Sequence, residues 1–579
     1  MTEPAATPIA VSWRKRLRRS VSELRQREGQ IFLILSLVIG ALTGLAVVAF
    51  ILLTEHLGMR LYPVGGARWR RVLFPVVGSL SVGYLLYRYF PNARGSGVPQ
   101  TKAALFAREG RITLRTVLGK FFCTSATLAS GIPLGREGPS VQVGAGIGSV
   151  LGRLLGLRAE QVKKLIPVGA AAAIAAAFNT PLAAVLFSLE EITGDLYAPV
   201  MGAVVLASAT AWMVLRVFLG DHPLFKVPQY QLVHPLEFAV YLVLGVAGGV
   251  VSAVFTKILL GIRARFLRFP AKTVWFQPAV GGLFVGLMGW FVPQVLGVGY
   301  GYVGEALNGR MAFQLMALLV LLKLLAVTTA YATGNAGGIF GPSLFIGAML
   351  GGTVGTVAHH FFPLYTATPG AYALVGMGAV FAGVVRTPMT SVLMIFEMTQ
   401  DYAVIVPLMI ANLVSLFVAS RLQREPIYEG LAIQDGIHLP SAEGRSRHGR
   451  RQVVKVMRGA GESLPAEMTV NEALGRVRSS ALRTWLVTDK RGVIGVINLS
   501  KLEQAAAENA ENADKQVGDL VDPIIFPHVH PDQALDLALE RMGANQLEIL
   551  PVVNRGDVHK LEGVVTLRDV LDAYGVGRA

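Results

Sequence analysis

The sequence predicts an all-α polytopic membrane domain, with an inverted repeat and broken, re-entrant helices, followed by a smaller soluble α/β part. The chain has 579 residues, of which only 16% are charged, and its mean hydropathy is +0.52. Residues 324–385 contain no Lys, Arg, Asp or Glu, a run far longer than one bilayer crossing requires. This composition excludes an ordinary soluble enzyme, and we predict that the protein is not an enzyme.

The motif at residues 135–140, Gly-Arg-Glu-Gly-Pro-Ser, places the carboxylate of Glu137 at the start of a helix inside an apolar region. Glycine permits a sharp turn and a close approach to a ligand, and Pro139 suits the first turn of a helix. The first N–H groups of a helix have no partner within it and lie at the positive end of its dipole, so they can coordinate an anion. Taken alone, the motif is also compatible with a surface turn.

The same spacing recurs at residues 338–343, Gly-Ile-Phe-Gly-Pro-Ser. A second block repeats in the same order, with Thr180, Pro181 and Glu190 matched by Thr387, Pro388 and Glu397. Such an internal repeat in a membrane protein points to a site between the repeats, where broken helices aim their N-termini at an anionic solute. The copies differ where chemistry is expected, because Phe340 replaces Glu137 and Met398 replaces Glu191, so the site should be asymmetric.

A third helix start framed by Gly and Pro lies at residues 94–99, Arg-Gly-Ser-Gly-Val-Pro. The hydroxyl of Ser96 can donate to an anion without carrying a charge. Gly-Ser-Gly alone is more often only a turn, but beside the other two helix starts it makes Ser96 a candidate ligand. Lys120, which interrupts the apolar run 114–131, is expected near a membrane interface or against a partner carboxylate.

The order of apolar and polar segments predicts the domain organisation. Arg14, Arg16 and neighbouring basic residues precede the first apolar run, which places the N-terminus in the cytoplasm by the positive-inside rule. Residues 165–189 are expected as two segments that meet at Pro181. We predict a cytoplasmic N-terminal segment at 1–30, a transmembrane domain at 31–440, a linker at 441–451 and a soluble part at 452–579. The transmembrane domain consists of repeat halves at about 31–219 and 236–420. The soluble part consists of two tandem modules at about 452–510 and 515–577.

The formal net charge of +16 does not indicate nucleic-acid binding, because the basic residues gather at segment ends without an aromatic-interleaved patch. Cys123 is the only cysteine, which excludes an internal disulfide and a cysteine-based metal cluster. We expect no metal and no required cofactor.

The three motifs in this order, together with the internal repeat, resemble the CLC family of chloride channels and transporters. The C-terminal part resembles a pair of CBS domains, which many members carry. The resemblance covers nearly the whole chain and implies a homodimer with a separate pore in each subunit. We expect it in a bacterial inner membrane with both termini in the cytoplasm. Ser96 favours chloride, since nitrate-preferring members carry Pro at this position.

The resemblance also implies roles for individual residues in the membrane domain. Ser96, the backbone N–H groups of Ile339 and Phe340, and the hydroxyl of Tyr428 would bind a partly dehydrated chloride ion. Glu137 would be the external gating glutamate, whose carboxylate competes with the anion.

Three further residues have implied roles outside the anion site. Arg136 is expected to turn away from the anion toward a structural partner. In the soluble part, Thr566 and Asp569 match the pattern by which some CBS pairs hold the ribose of an adenine nucleotide; a purely structural module is the alternative.

Glu191 would be the internal proton glutamate, and it favours a chloride/proton antiporter because channel members usually lack an acidic residue there. A passive voltage- or pH-gated chloride channel of the same fold is the alternative, and Glu190 with Glu191 is also compatible with a solvated helix end. A CBS-containing intramembrane metalloprotease is a remote alternative, because the pair His359 and His360 lacks a His-Glu-x-x-His ligand set.

Overall fold

The structure is a computed structural model that describes residues 28–437, except 64, 196–199, 221–222, 229 and 231, and residues 452–573, except 460, 479, 481–482, 509–514 and 523–525. Most of the predicted N-terminal segment and the predicted linker at 441–451 lie outside these residues. The chain forms two compact units. The first contains the described residues up to Leu431 apart from 106–108, and the second contains the remainder.

The helices and strands assigned in the first unit are all helices, as predicted, and the first sixteen α-helices fall into two sets of eight. The first set is α1 Glu28–Leu61, α2 Arg70–Arg88, α3 Val98–Phe106, α4 Leu114–Ala129, α5 Glu137–Leu154, α6 Ala159–Phe178, α7 Pro181–Phe187 and α8 Met201–Leu219. The second is α9 Glu237–Leu267, α10 Gln277–Phe291, α11 Tyr300–Leu307, α12 Phe313–Ala332, α13 Phe340–Phe361, α14 Pro369–Val385, α15 Pro388–Thr399 and α16 Ile405–Leu422, after which α17 spans Ile427–Gln434. Among the described residues, seven helices are long and apolar enough to cross a membrane.

The two sets repeat the same packing. Helix α1 packs on α8 as α9 packs on α16, and α5 packs on α6 as α13 packs on α14. At the α5–α6 crossing, a Cβ on Gly144 would clash with the carbonyl oxygen of Gly169, and the reverse also holds. Gly347 and Gly376 make the same reciprocal contact between α13 and α14. Glycine therefore lets the two backbones touch at both crossings. Small residues are typical of closely packed helices in membranes.

Two buried lysines occupy equivalent places in the repeat. Lys120 on α4 donates to the carbonyl oxygens of Ala93 and Gly95, and Lys323 on α12 donates to those of Val295 and Gly297. Both lysines are 0% exposed. The expectation of a carboxylate partner for Lys120 was wrong: in the described part of the chain its partners are backbone carbonyls, which stabilise the buried amino group.

The repeat halves also exchange carboxylate caps. Helix α6 ends at Phe178 and α7 begins at Pro181, so the predicted break is confirmed. The carboxylate of Glu397 accepts hydrogen bonds from the N–H groups of Leu182 and Ala183, at the start of α7. In return, that of Glu190 accepts from residues 389 and 390 at the start of α15. Each acid thus satisfies the unpaired N–H groups of a helix in the other half.

The second unit contains two small α/β modules. The first consists of β1 Ser463–Pro465, α18 Val470–Val477, β2 Thr484–Asp489, β3 Gly492–Asn498 and α19 Leu499–Glu508. The second consists of α20 Leu535–Asn545, β4 Ile549–Asn554, β5 Asp557–Thr566 and α21 Leu567–Ala573. Strand β2 pairs parallel with β1 and antiparallel with β3, while β4 and β5 form an antiparallel pair. The predicted α/β fold of this part of the chain is confirmed.

The α5–α6 crossing provides a test of the packing. We expect Gly169→Ala to lower the melting temperature of the purified protein, because the added methyl meets the Gly144 backbone and overpacking costs about 1–3 kcal/mol. The matched control is Gly202→Ala on α8, where an added Cβ has no atom within 4 Å. Thermal unfolding followed by tryptophan fluorescence measures both, and equal melting temperatures would contradict the close crossing.

Candidate functional site

Two predicted helix starts meet at the centre of the first unit. The N–H of Gly135 donates to the carbonyl of Gly338 and the N–H of Gly338 donates to that of Gly135, each at 2.7 Å. Helix α5 then begins at Glu137 and α13 at Phe340. This antiparallel pair therefore brings the positive ends of two helix dipoles to one place in the apolar interior.

The third motif lies against the first. Gly97 has φ +106°, a conformation that favours glycine, and a Cβ there would clash with the carbonyl of Gly138. A Cβ on Gly138 would lie 2.5 Å from the carbonyl oxygen of Ser96. The N–H of Ser96 donates to the hydroxyl of Tyr331 at 3.1 Å. The three motifs that the sequence predicts to converge therefore do so.

Two buried hydroxyls at this junction lack a partner within the described residues. They are Ser96 Oγ and the hydroxyl of Tyr428, in side chains that are 0% and 1% exposed. Tyr428 interacts electrostatically with Glu137 and Glu191. Leaving a buried hydroxyl unsatisfied costs about 1–3 kcal/mol, so two of them beside two helix N-termini indicate the position of a ligand.

The backbone at the start of α13 supplies further donors. Phe340 is the first residue of this helix, so its N–H and that of Ile339 have no acceptor within the helix. The ring of Phe340 packs against those of Phe178 and Phe381, with centroids 4.9 and 4.3 Å apart. This apolar packing fixes the helix start and keeps its N–H groups away from bulk water.

The carboxylate of Glu137 already lies at this helix start. Its side chain is 0% exposed, and its Oε2 accepts from the N–H of Gly341 at 3.3 Å. Its Oε1 accepts from the hydroxyl of Tyr300, the first residue of α11. The carboxylate thus has the contacts that an anion would have at the N-terminus of α13.

Glu191 lies in a turn of π-helix at residues 188–193 that follows α7. It is 8% exposed and pairs with Lys102 on α3, with Nζ 2.7 Å from Oε1. A solvated helix end is therefore excluded. Sequence reasoning missed Lys102, although a lone lysine in the apolar helix after Ser96 is itself a signal, because an intramembrane ionisable residue needs a partner.

Arg136 turns toward structural partners, as expected. Its Nη1 lies 3.2 Å from a carboxylate oxygen of Glu55 on α1, and its guanidinium lies 5.6 Å from the ring centroid of Tyr300. Arg136, Glu55 and Tyr300 line a cleft of about 750 Å³, together with Thr54 and Tyr62. We call it the Arg136 cleft. Tyr300 contacts both Arg136 and Glu137, so it connects this cleft with the buried carboxylate of Glu137.

The predicted nucleotide residues bond to each other. Asp569 Oδ2 accepts from the N–H and the hydroxyl of Thr566, and the other oxygen of Asp569 pairs with Arg458. These contacts cap α21, so a ribose would have to compete with Arg458 for the carboxylate. Nucleotide binding at these residues stays a prediction. Among the described residues, His, Cys, Asp and Glu form no group of three that could hold a metal, His359 included.

Comparison with known proteins agrees with this geometry. Residues 78–420 match the family described as "Voltage gated chloride channel", and residues 517–575 match the CBS domain. Two similar proteins are both named "H(+)/Cl(-) exchange transporter ClcA". That of Vibrio campbellii is 34% identical over 60% of this chain and 76% of its own length, and that of Salmonella paratyphi B is 33% identical over 72% and 91%.

Two solved structures are also similar. A slow cyanobacterial Cl⁻/H⁺ antiporter has a TM-score of 0.65 and 28% identity, and the alignment covers 70% of this chain and 97% of that one. A eukaryotic CLC transporter aligns over 93% of this chain and 97% of its own, with a TM-score of 0.63 and 21% identity, which is a likeness of fold. The helix order, the converging motifs and the match over residues 78–420 lead to one conclusion: the chain belongs to the voltage-gated chloride channel (CLC) family.

Proposed function

We propose that this membrane protein exchanges chloride for protons. The observation that carries the proposal is the pair of unpartnered, buried hydroxyls of Ser96 and Tyr428 beside the open helix start at Phe340. Neutral dipoles of this kind bind an anion strongly enough to replace its water and weakly enough to release it. The relatives named as H⁺/Cl⁻ exchange transporters support the same activity.

Competition at the helix start couples the two ions. The ionised carboxylate of Glu137 accepts the N–H of Gly341, so chloride at that position must displace it. Two like charges in one poorly hydrated pocket repel each other, and protonation removes the charge of the glutamate. Each time chloride replaces the carboxylate, Glu137 can therefore carry a proton.

We assign the internal proton site to Glu191, which interacts electrostatically with Tyr428 as Glu137 does. It is buried and pairs with Lys102. An ionisable side chain inside the membrane domain is a candidate for a proton relay. A passive channel has no need of such a costly buried pair, and the pair therefore favours exchange.

Isosteric substitutions test the two glutamates. We expect Glu137→Gln and Glu191→Gln each to abolish proton movement while chloride flux continues. Each amide has nearly the volume of the carboxylate that it replaces, but it cannot bind and release a proton. The measurement is chloride and proton flux from liposomes that carry a chloride gradient and no proton gradient. Glu160→Gln, in an exposed pair with Lys163, is the matched control.

The same liposomes separate the exchanger from a passive channel. A chloride gradient should change the internal pH of liposomes that contain the wild-type protein. A reversal potential that follows chloride alone would identify a channel. Undiminished proton movement in either glutamine variant would contradict the role of that glutamate.

Removal of Lys102 tests the buried pair. We expect Lys102→Met to slow proton movement at pH 7 by roughly tenfold, because it leaves the buried carboxylate of Glu191 without its cation, which costs several kcal/mol. The control Lys163→Met removes the lysine of an exposed pair, which contributes little. In the Glu191→Gln background, where proton movement is already abolished, Lys102→Met should leave chloride flux unchanged, and a further loss of chloride flux would assign Lys102 another role.

We also propose a homodimer that forms through α7, α8, α15 and α16, which make contiguous contacts. Helix α7 has only seven residues, or about 10 Å, and cannot cross the bilayer by itself. Leu182 and Met389 at the starts of α7 and α15 are 58% and 56% exposed, directly beside the carboxylates of Glu397 and Glu190. Carboxylates that face lipid are costly, so a second copy is the favourable cover for this surface.

Light scattering tests the dimer. In detergent, the wild-type protein should have twice the chain mass of 61.9 kDa. Tryptophan at both Leu182 and Met389 should favour the monomer, because the larger side chains hold the two copies apart. Leu242→Trp, at an exposed position on α9, is the control. A monomeric wild-type protein would contradict the proposal.

The orientation that we propose places both termini in the cytoplasm of a bacterial cell, with the protein in the inner membrane. The basic residues between Arg14 and Arg19 precede α1 and support it by the positive-inside rule. The Arg136 cleft, which includes Glu55 near the other end of α1, then opens on the external side.

A further inference from the structure

We propose that Tyr300 is a positioning residue that holds the ionised carboxylate of Glu137 at the start of α13 and slows its replacement by chloride. The inference rests on the proposed gating role of Glu137. Neither the repeated motifs nor their order singles out Tyr300, and its contacts in the structure assign its role.

The contacts of Tyr300 direct its hydroxyl at the gating residue. Tyr300 is the first residue of α11, and its hydroxyl donates to Oε1 of Glu137. The ring packs edge-on against Phe225 with centroids 5.9 Å apart, and the guanidinium of Arg136 lies 5.6 Å from the ring centroid. A side chain held on two sides can keep its hydroxyl on one carboxylate oxygen.

Glu137 has few other partners that could replace this hydrogen bond. The N–H of Gly341 reaches its second oxygen, Oε2. The charged and titratable groups of the neighbouring elements are Arg136 on its own helix, paired with Glu55 of α1, Tyr428 of α17, which interacts electrostatically with Glu137, Glu191 and Tyr331, and Lys323 of α12, which lies beside Gly299. Lys323 donates to backbone carbonyls, the hydroxyl of Tyr331 accepts from the N–H of Ser96, and the Lys102 ammonium pairs with Glu191. Tyr300 is therefore the side chain in the described structure that donates directly to Oε1.

This hydrogen bond stabilises one state of the exchange cycle. A hydroxyl that donates to an ionised carboxylate stabilises the charged form more than the neutral one, and charge-assisted hydrogen bonds are the stronger kind. The bond therefore favours the state in which Glu137 occupies the anion position. Chloride must break this bond as well as the one from Gly341 before it can bind there.

The experiment removes only the hydroxyl. In Tyr300→Phe we expect the pH at which chloride flux reaches half of its maximum to rise by about one unit, because Glu137 leaves its position more readily, and a tenfold change is a typical effect for one charged hydrogen bond. Chloride affinity measured by calorimetry at pH 7.5 should rise several-fold, since the carboxylate competes less well. The matched control is Tyr302→Phe, which removes a hydroxyl from the same helix without a hydrogen bond to Glu137.

A double variant shows whether the effect acts through Glu137. In the Glu137→Gln background the carboxylate is absent, and Tyr300→Phe should then change neither the pH profile nor the chloride affinity. An unchanged pH profile in the single variant, or an equal shift in the Glu137→Gln background, would overturn the inference. Either result would leave the exchange activity itself intact, because wild-type coupling and the Glu137→Gln phenotype test that activity separately.

A second variant is available if Tyr300→Phe does not fold. Phe225→Leu loosens the ring contact and keeps the hydroxyl, so the pH profile should shift in the same direction by a smaller amount. A shift toward lower pH in this variant would contradict the proposed role of Tyr300.

Discussion

The structure depends on a constraint of the membrane interior: every backbone polar group there must find a partner inside the protein. Two helices start within this interior, at Glu137 and Phe340, and each leaves N–H groups that have no acceptor in its own helix. The reciprocal hydrogen bonds of Gly135 and Gly338 hold these starts together. The N–H groups that stay open in this arrangement are the ones that an anion, or the carboxylate of Glu137, can satisfy.

The same constraint explains the other polar residues of the interior. Lys120 and Lys323 satisfy the carbonyls of the loops that lead to α3 and α11. Glu190 and Glu397 satisfy the N–H groups of short helices in the opposite repeat half. None of these groups has to bind a transported ion. They replace water around broken helices, and the two lysines hold the backbone just before Ser96 and just before the start of α11.

Sequence alone could predict the features that have a local signature. Gly and Pro mark the helix starts near Ser96, Glu137 and Phe340, and Pro181 marks the break between α6 and α7, so both the convergence and the break could be anticipated. Pairings over a long chain distance could not. Lys102 and Glu191 are 89 residues apart, and Tyr300 and Glu137 are 163 apart. Lys120 was misjudged because a carbonyl partner leaves no mark in the sequence, whereas a carboxylate does.

The repeat separates residues that support the fold from those that we propose to act on ions. Aligning α3 with α11, through the carbonyls that Lys120 and Lys323 hold, matches Ser96 with Val298, Val98 with Tyr300 and Lys102 with Gly304. The supporting pairs are chemically the same in both halves, as for Lys120 with Lys323 and Glu190 with Glu397.

The positions that we propose for the anion and proton sites differ between the halves, as for Glu137 with Phe340 and Glu191 with Met398. Symmetric halves would build two equal anion positions at one junction, and two anions so close together would repel each other. The differences instead place the hydroxyl of Ser96 and the carboxylates of Glu137 and Glu191 in the first half. The ring of Phe340 and Tyr300 belong to the second half. An acid from the first half can then compete with chloride for the helix start of the second, which is the condition for coupling the two ions.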